Sequence, residues 1–310
     1  MGRGTGYGKT IVFGEHFVVY GLPAIASAIT GSTVAVARRV SGHSYSIEDK
    51  RPETPGYKEK KKEQQLDSIK RIFEFLGFDP KENAVEILLE GNLVAASGVG
   101  ASAASCAAIA RALNEEFSLG LEDEEINKAA YEGEKGYHGT PSGIDNTAAV
   151  YGGLIWFKKG LPGKENTIQR VKIEPVEIVL GNTGITSNTS EVVADVRKKK
   201  EANEREFDKI FRDYGKIAES ALGAFRENDV ESVGKLMNEN HSLLQKIGVS
   251  CKELEELVET AREQGAVGAK LTGTGRGGLM IALTPGKELQ EKVAEAIEAT
   301  GKTAFRTKIG

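Results

Sequence analysis

One stretch, Ser97-Gly98-Val99-Gly100-Ala101-Ser102-Ala103-Ala104, constrains this chain more than any other. It sits between a predicted strand and a predicted helix of unusually small residues over 101–117. Its glycines let backbone N–H groups turn towards an anion with no Cβ in the way. The helix that follows points its positive end at the same spot. Such a turn can hold a triphosphate without a Walker-type lysine. It can also be a plain tight turn ahead of a buried Ala-rich helix, and composition alone does not separate the two.

At 310 residues the chain is too long for one small core and long enough for two modest domains. Its 39% hydrophobic and 28% charged residues are ordinary for a soluble globular protein. The net charge of −4 gives no overall field that favours nucleic acid. The charge-dense run 58–63 mixes both signs and reads as a solvated helix face. Two cysteines, Cys106 and Cys251, do not make a disulfide framework and suit a reducing, cytoplasmic setting. Cys106 lies in an apolar run and reads as a small core residue, not a nucleophile. The N-terminus lacks the apolar segment of a signal peptide, and no apolar run is long enough to span a membrane. Neither nucleic acid nor membrane is therefore an expected partner. A second copy of the chain is left open.

Segments 9–13, 33–39 and 85–89 read as strands. Leu66, Ile69, Ile72, Phe73 and Leu76 repeat at helical spacing within 58–76, which Gly77 and Pro80 end. A helix over 122–135 opens with acidic residues that suit its dipole. Strands at 153–157 and 176–180 precede helices at 191–200, 204–226, 230–246 and 252–263. Then come strand 269–272, a glycine-rich loop 273–278 and strand 279–283. A helix over 287–299 and an edge strand over 303–306 finish the chain. Strands and helices do not strictly alternate, so the expected class is α+β.

Two motifs mislead. Gly8-Lys9-Thr10 looks like the end of a Walker A loop, but the earlier glycine it needs is Arg3, and Ile11-Val12-Phe13 reads as strand where a helix should begin. Gly273-Thr274-Gly275-Arg276-Gly277-Gly278 matches a dinucleotide fingerprint, but it too runs into a strand, Leu279 to Leu283.

The remaining polar residues suggest chemistry. Eleven positions separate Glu134 from Asp145, and the Gly/Pro-rich link between them can fold both carboxylates into one pocket. Glu134 could then hold a metal through oxygen with a serine as second hard ligand, and Asp145 could orient or deprotonate a hydroxyl. They can equally be a surface acid and a helix N-terminal acid. Lys9 is the sole charge in an apolar strand, either an edge residue or a cation placed against developing phosphoryl charge. His16 could contact a substrate oxygen or be a satisfied polar residue.

Three stretches in order resemble the GHMP kinases. They are Gly8-Lys9-Thr10-Ile11-Val12-Phe13-Gly14-Glu15-His16-Phe17-Val18-Val19-Tyr20-Gly21, the loop from Gly98 to Ala104, and Gly268-Ala269-Lys270-Leu271-Thr272-Gly273-Thr274-Gly275-Arg276-Gly277-Gly278. Within the family, the segment from Gly14 to Gly21 and the segment His138-Gly139-Thr140-Pro141-Ser142-Gly143-Ile144-Asp145-Asn146 are similar to those of mevalonate kinases. The resemblance spans nearly the whole chain.

It implies a two-domain α+β GHMP kinase fold. A ribosomal-protein-S5-like, ATP-binding domain is expected over 1–175 and a ferredoxin-like domain over 176–310, with the active site in the cleft between them. It implies Mg²⁺ and ATP as cofactors and mevalonate as the small-molecule partner. Asp145 is then the catalytic carboxylate, with Lys9 beside it. Ser102 and Glu134 hold Mg²⁺, and Gly98, Val99, Gly100, Ala101, Ser102 and Ala103 wrap the phosphates. His16 and Thr189 are the implied acceptor contacts, alongside Lys9 and Asp145. Gly273, Gly275, Arg276 and Gly277 form the third-motif loop. Tyr7, Ala101 and Arg276 depart from the usual proline, serine and glycine. Arg276 is left open between a substrate or phosphate contact and an exposed loop residue. Another GHMP kinase, acting on phosphomevalonate or a sugar, and a non-catalytic protein of the same fold are the alternatives.

Overall fold

Residues 2, 4, 6 and 8 are all glycine, a spacing that strips one face of an extended strand of side chains. The computed structural model describes residues 1–53, 56–93, 98–160 and 164–310. Two units are formed, one from Met1–Lys9 and Ala28–Gly152, the other from Thr10–Ser27 and Gly153–Gly310.

The first unit comprises, in order, β1 (Gly2–Phe13, to residue 9), β2 (Ala24–Arg39, from residue 28), β3 (Tyr45–Asp49), α1 (Tyr57–Leu76), β4 (Val85–Gly91), α2 (Ala101–Phe117), α3 (Asp123–His138) and α4 (Ile144–Tyr151). Strand β4 pairs antiparallel with β2 and parallel with β3, and β1 pairs with β2. The helices bury Ile69, Ile72, Phe73, Ile109, Leu113 and Ile126 against Ile87 and Leu89 of β4.

The bare face of β1 lies directly on α2. A Cβ built on Gly2, Gly4 or Gly6 would stand 2.2, 2.2 or 2.1 Å from the carbonyl oxygens of Ala112, Ala108 and Ala104. Those alanines step four residues at a time along one helix face, while the glycines step two along the strand. Strand and helix therefore touch backbone to backbone. This explains why 2–8, punctuated by glycine and not expected as strand, extends β1 seven residues ahead of residue 9. Strand β3 was not expected either, because its alternating polar residues carry little apolar signal.

Two acidic residues close the order of this unit. Helix α3 starts in a capping box formed by Glu122 and Glu125 and carries Glu134 in its last turns. Helix α4 starts after Gly143, at φ 93°, with Asp145 in its first turn.

The second unit contains β5 (Leu154–Lys158), β6 (Thr167–Val171), β7 (Val176–Asn182), α5 (Thr189–Ala202), α6 (Glu204–Arg226), α7 (Val230–Lys246), α8 (Lys252–Glu263), β8 (Gly268–Thr272), β9 (Leu279–Leu283), α9 (Lys287–Ala299) and β10 (Thr303–Ile309). Strands β10, β7, β9 and β8 form an antiparallel sheet in that order, so the last strand is an edge as expected. Strand β5 pairs antiparallel with residues 24–27 and with β6. Helices α7 and α8 pack on β8, and α9 packs on β7 and β10. The α+β class holds, and both glycine motifs that resembled nucleotide loops lead into or lie within strand as read from the sequence.

Helix α7 brings His241 onto β8, where its ring is almost wholly buried. The Leu271 N–H donates to Nδ1 at 3.3 Å, so the ring proton sits on Nε2, 3.2 Å from Glu255 Oε1. Burial lowers the His241 pKa to about 4, against the opposing pull of Glu255. The unfolded chain gains a proton near pH 6.5 and the folded one only near pH 4. The unfolded state thus binds more protons between those values, and stability is lost as pH falls from about 6.5 to about 4. Two measurements follow. In denaturant titrations, His241→Gln should show a shallower loss of stability across that window than wild type. At neutral pH, Gly4→Ala should lower the unfolding free energy by at least about 2 kcal/mol, since a methyl group cannot enter the strand–helix contact without moving backbone. A Gly4→Ala protein as stable as wild type would remove that contact as a constraint.

Candidate active site

The turn before α2 is built as its glycines suggest. Gly98 and Gly100 adopt φ 76° and 74°, the left-handed region where a Cβ is costly. The Lys9 N–H donates to Val99 O at 2.8 Å, so β1 is tied to this turn. A Cβ on Gly100 would lie 2.8 Å from Lys9 Cγ, so the glycine also makes room for the lysine stem. The first N–H groups of α2, around Ala101 to Ala103, have no partner within the helix. Ala103 is fully buried. Ser97, the first residue of the motif, lies outside the described residues.

Lys9, Ser102, Glu134 and Asp145 converge beside this turn. Lys9 Nζ stands 3.2 Å from Asp145 Oδ1, with the lysine buried and the aspartate partly open. Glu134 is almost fully buried, and its Oε1 has no hydrogen-bond partner. Burial first, and then the Asp145 charge, push its pKa up to about 8, against a hydrogen bond from Ser102 and the charge of Lys9. A buried carboxylate with one oxygen idle and a second carboxylate nearby is a place short of positive charge. Glu134 and Ser102 are both hard oxygen donors, which fits Mg²⁺, a cation that takes one or two protein ligands plus phosphate and water. Among the described residues, no group of three or more His, Cys, Asp or Glu forms a fuller metal cage.

Two residues not anticipated from the sequence join this group. His138 Nε2 lies 3.4 Å from Ser102 Oγ and 4.0 Å from Glu134 Oε2. Its spacing of four from Glu134 on one helix was the available signal. Buried Arg51 holds Asp49 through Nε at 3.0 Å and Nη2 at 2.7 Å. Its Nη1 donates to Thr33, to Ala101 O and to Ser105 Oγ, fastening the first turn of α2. Nothing in the sequence around Arg51 marks that role. Lys58 likewise departs from a purely solvated face, because its ammonium donates to Asp49 O at 2.8 Å.

The second unit gathers His16, Thr189 and the loop 273–278. His16, at φ 62°, places Nε2 2.7 Å from Thr274 O, so this nitrogen donates. Burial lowers its pKa. Thr189 Oγ1 is 2.9 Å from Thr274 Oγ1, and Ser187 Oγ donates to Gly275 O at 2.7 Å. Glu15 beside His16 forms a fully buried ion pair with Lys270 of β8, a contact the sequence did not disclose. Arg276 forms an ion pair with Asp195 of α5.

The chain matches two protein families, GHMP kinases N terminal domain over residues 66–153 and GHMP kinases C terminal over 221–303. It is 36% identical to the mevalonate kinase of Thermococcus sibiricus, over 97% of this chain and 94% of that one. It is 33% identical to the mevalonate kinase of Aeropyrum pernix, over 99% and 95%. The crystal structure of L. major mevalonate kinase in complex with R-mevalonate is similar at a TM-score of 0.93. The identity there is 38%, covering 100% of this chain and 96% of that chain.

Gly100→Ala should dislodge the Lys9 side chain. In a crystal structure of that variant the Lys9–Asp145 separation is expected to exceed the 3.2 Å of the wild type, with lowered thermal stability. An unmoved lysine would show that the turn has slack.

Proposed function

The chain belongs to the mevalonate kinases of the GHMP kinase family, and on that premise we propose that it transfers the γ-phosphoryl group of ATP to the 5-hydroxyl of mevalonate. It is an ATP-dependent small-molecule kinase with the two-domain GHMP fold. The reading of its acceptor is carried by one observation, the 38% identity across the full chain to a mevalonate kinase crystallised with R-mevalonate.

The acceptor oxygen attacks the γ-phosphorus, the bond to the β-phosphate oxygen breaks, and ADP leaves. The hydroxyl proton passes to Asp145, which accepts it or aligns the attacking lone pair. Lys9, 3.2 Å away, pairs with that carboxylate and offsets charge on the transferring group. A loose transition state needs little base strength, so positioning carries most of the catalysis and no phosphoenzyme is required. Backbone N–H groups from Gly98 to Ala103 take the phosphates at the positive end of α2. Ser102 and Glu134 would hold Mg²⁺, which would supply positive charge against the negative charge of the phosphates. His16 and Thr189 are assigned to the acceptor.

A phosphorylated acceptor would call for an additional free cation. Arg276 was the candidate for that role, and it is engaged by Asp195. A non-catalytic relative would be expected to have lost Lys9, Glu134 or Asp145, and all are present. Cys106 and Cys251 are free thiols, which fits a cytoplasmic protein. Among the described residues no helix is long and apolar enough to cross a membrane. Whether two copies associate is a separate matter that sedimentation would decide.

Mevalonate should be phosphorylated in preference to phosphomevalonate or galactose in a panel assay, and a reversed order would sink the assignment. Asp145→Asn keeps shape and removes charge, so kcat should fall at least about a hundredfold while ATP binding by calorimetry persists. Lys9→Met should also lower kcat, and the double variant should lose less than the two effects combined, because the residues act as a unit. Fully additive losses would separate Lys9 from Asp145.

A further inference from the structure

Arg276 occupies a backbone position that favours glycine. Its φ is 53°, in the left-handed region that side chains rarely adopt. Its neighbours Gly275 and Gly277 have no choice. A Cβ on Gly275 would stand 2.1 Å from Val249 O, and one on Gly277 would stand 2.7 Å from Ile185 O. The loop is thus pressed between the segment leading into α5 and the connection between α7 and α8. A large side chain at a strained position calls for something it holds.

Arg276 holds three things. Its N–H donates to Val249 O at 2.8 Å and its Nε to Gly248 O at 3.1 Å. Its Nη2 pairs with Asp195, two turns into α5. Lys199 meets the same Asp195 oxygen, Oδ2, at 3.2 Å, and these cations hold the Asp195 carboxyl below its usual range. The start of α5 meets the same loop independently, through Thr189 on Thr274, Ser187 on Gly275 and the Gly278 N–H donating to Ile185 O at 2.8 Å. Thr274 is therefore the shared support of two residues: its carbonyl holds His16 and its hydroxyl meets Thr189.

We propose that the Arg276–Asp195 pair is a positioning latch that locks the loop 273–278 to α5 and thereby sets His16 and Thr189 for the acceptor alcohol. Arg276 touches neither acceptor nor nucleotide phosphate in this account. The functional half of the inference rests on the acceptor roles proposed above, whereas the latch itself does not.

Arg276→Gly is the informative variant, because glycine relaxes the backbone at φ 53° and so should not impair folding. Asp195→Asn is its partner, leaving Arg276 in place. Steady-state kinetics should show the KM for mevalonate rising about three- to fivefold in each, the range open to a partly exposed ion pair. The kcat and the KM for ATP should stay within about twofold, as expected when ground-state and transition-state binding fall together. The double variant should lose no more than Arg276→Gly alone, because the ion pair can be removed only once. Arg276→Lys should recover part of the loss. A raised KM for ATP would make Arg276 a phosphate contact and overturn the latch. So would an unchanged KM for mevalonate, a fall in kcat alone, or additive losses. Hydrogen exchange at the Arg276 and Gly278 amides reports on the latch without turnover. Protection should drop in Asp195→Asn, and unchanged protection would overturn the latch even if mevalonate proved not to be the acceptor. Wild-type protein that fails to phosphorylate mevalonate would instead overturn the functional reading.

Discussion

Backbone contact between β1 and α2 is the constraint on which the first unit depends. Gly2, Gly4 and Gly6 present nothing but main chain, and Ala104, Ala108 and Ala112 answer with main-chain carbonyls. Interiors are packed as tightly as organic crystals, so such a seam fixes strand and helix to within fractions of an ångström. Lys9 lies three residues beyond Gly6 on the same strand. Its position over the turn at Gly100 is then inherited from the seam, and its amide is pinned to Val99 O as well. The small residues of α2 thus serve two ends: they admit the strand, and they let the helix begin against a turn with its first N–H groups free.

Charge arrangement in this unit follows from that placement. Lys9 is paired with Asp145, and Glu134 sits in the low-dielectric interior with its ionisation opposed by burial and by Asp145. With the lysine nearer the more open carboxylate, the buried one keeps an idle oxygen, and the Ser102 hydroxyl and the Lys9 charge offset its burial in part. A divalent cation arriving with nucleotide phosphates would supply what is missing, and it would favour the ionised form of Glu134. The empty oxygen and the displaced pKa are two expressions of one deficit. Arg51, by contrast, carries its own counter-ion in Asp49, so it can brace the start of α2 without adding a net charge there.

How much of this was legible in the sequence differs by kind of signal. Helices with apolar residues at helical spacing, such as 58–76 and 204–226, appeared within a residue or two of their expected bounds. Strands β3 and β6 did not, because few of their residues are buried and their apolar content is low. The first half of β1 was hidden for a subtler reason: glycine reads as turn unless one knows that a helix of alanines lies against it. Lys9, Ser102, Glu134 and Asp145 could be named together through the family resemblance, and they lie close in the structure. Their supports could not. Arg51 reaches 50 residues ahead to Ala101, and Lys270 reaches back 255 residues to Glu15, so no local pattern encodes either contact.

Both units must hold an irregular glycine-rich loop, and they do so with different shares of main chain and side chain. The turn at Gly98 to Gly100 is held by steric closeness and by main-chain hydrogen bonds, which tolerate no added side chain but need no particular one. The loop 273–278 shares that closeness at Gly275 and Gly277 and adds side chains that reach it: Ser187, Thr189, His16, and Asp195 through Arg276. Main-chain packing changes in large steps, because a Cβ either fits or does not. A loop held by polar side chains changes in small ones, since each partly exposed contact contributes little alone. The first arrangement suits the phosphate-binding role proposed for that turn. The second leaves a set of separately adjustable contacts around Thr274.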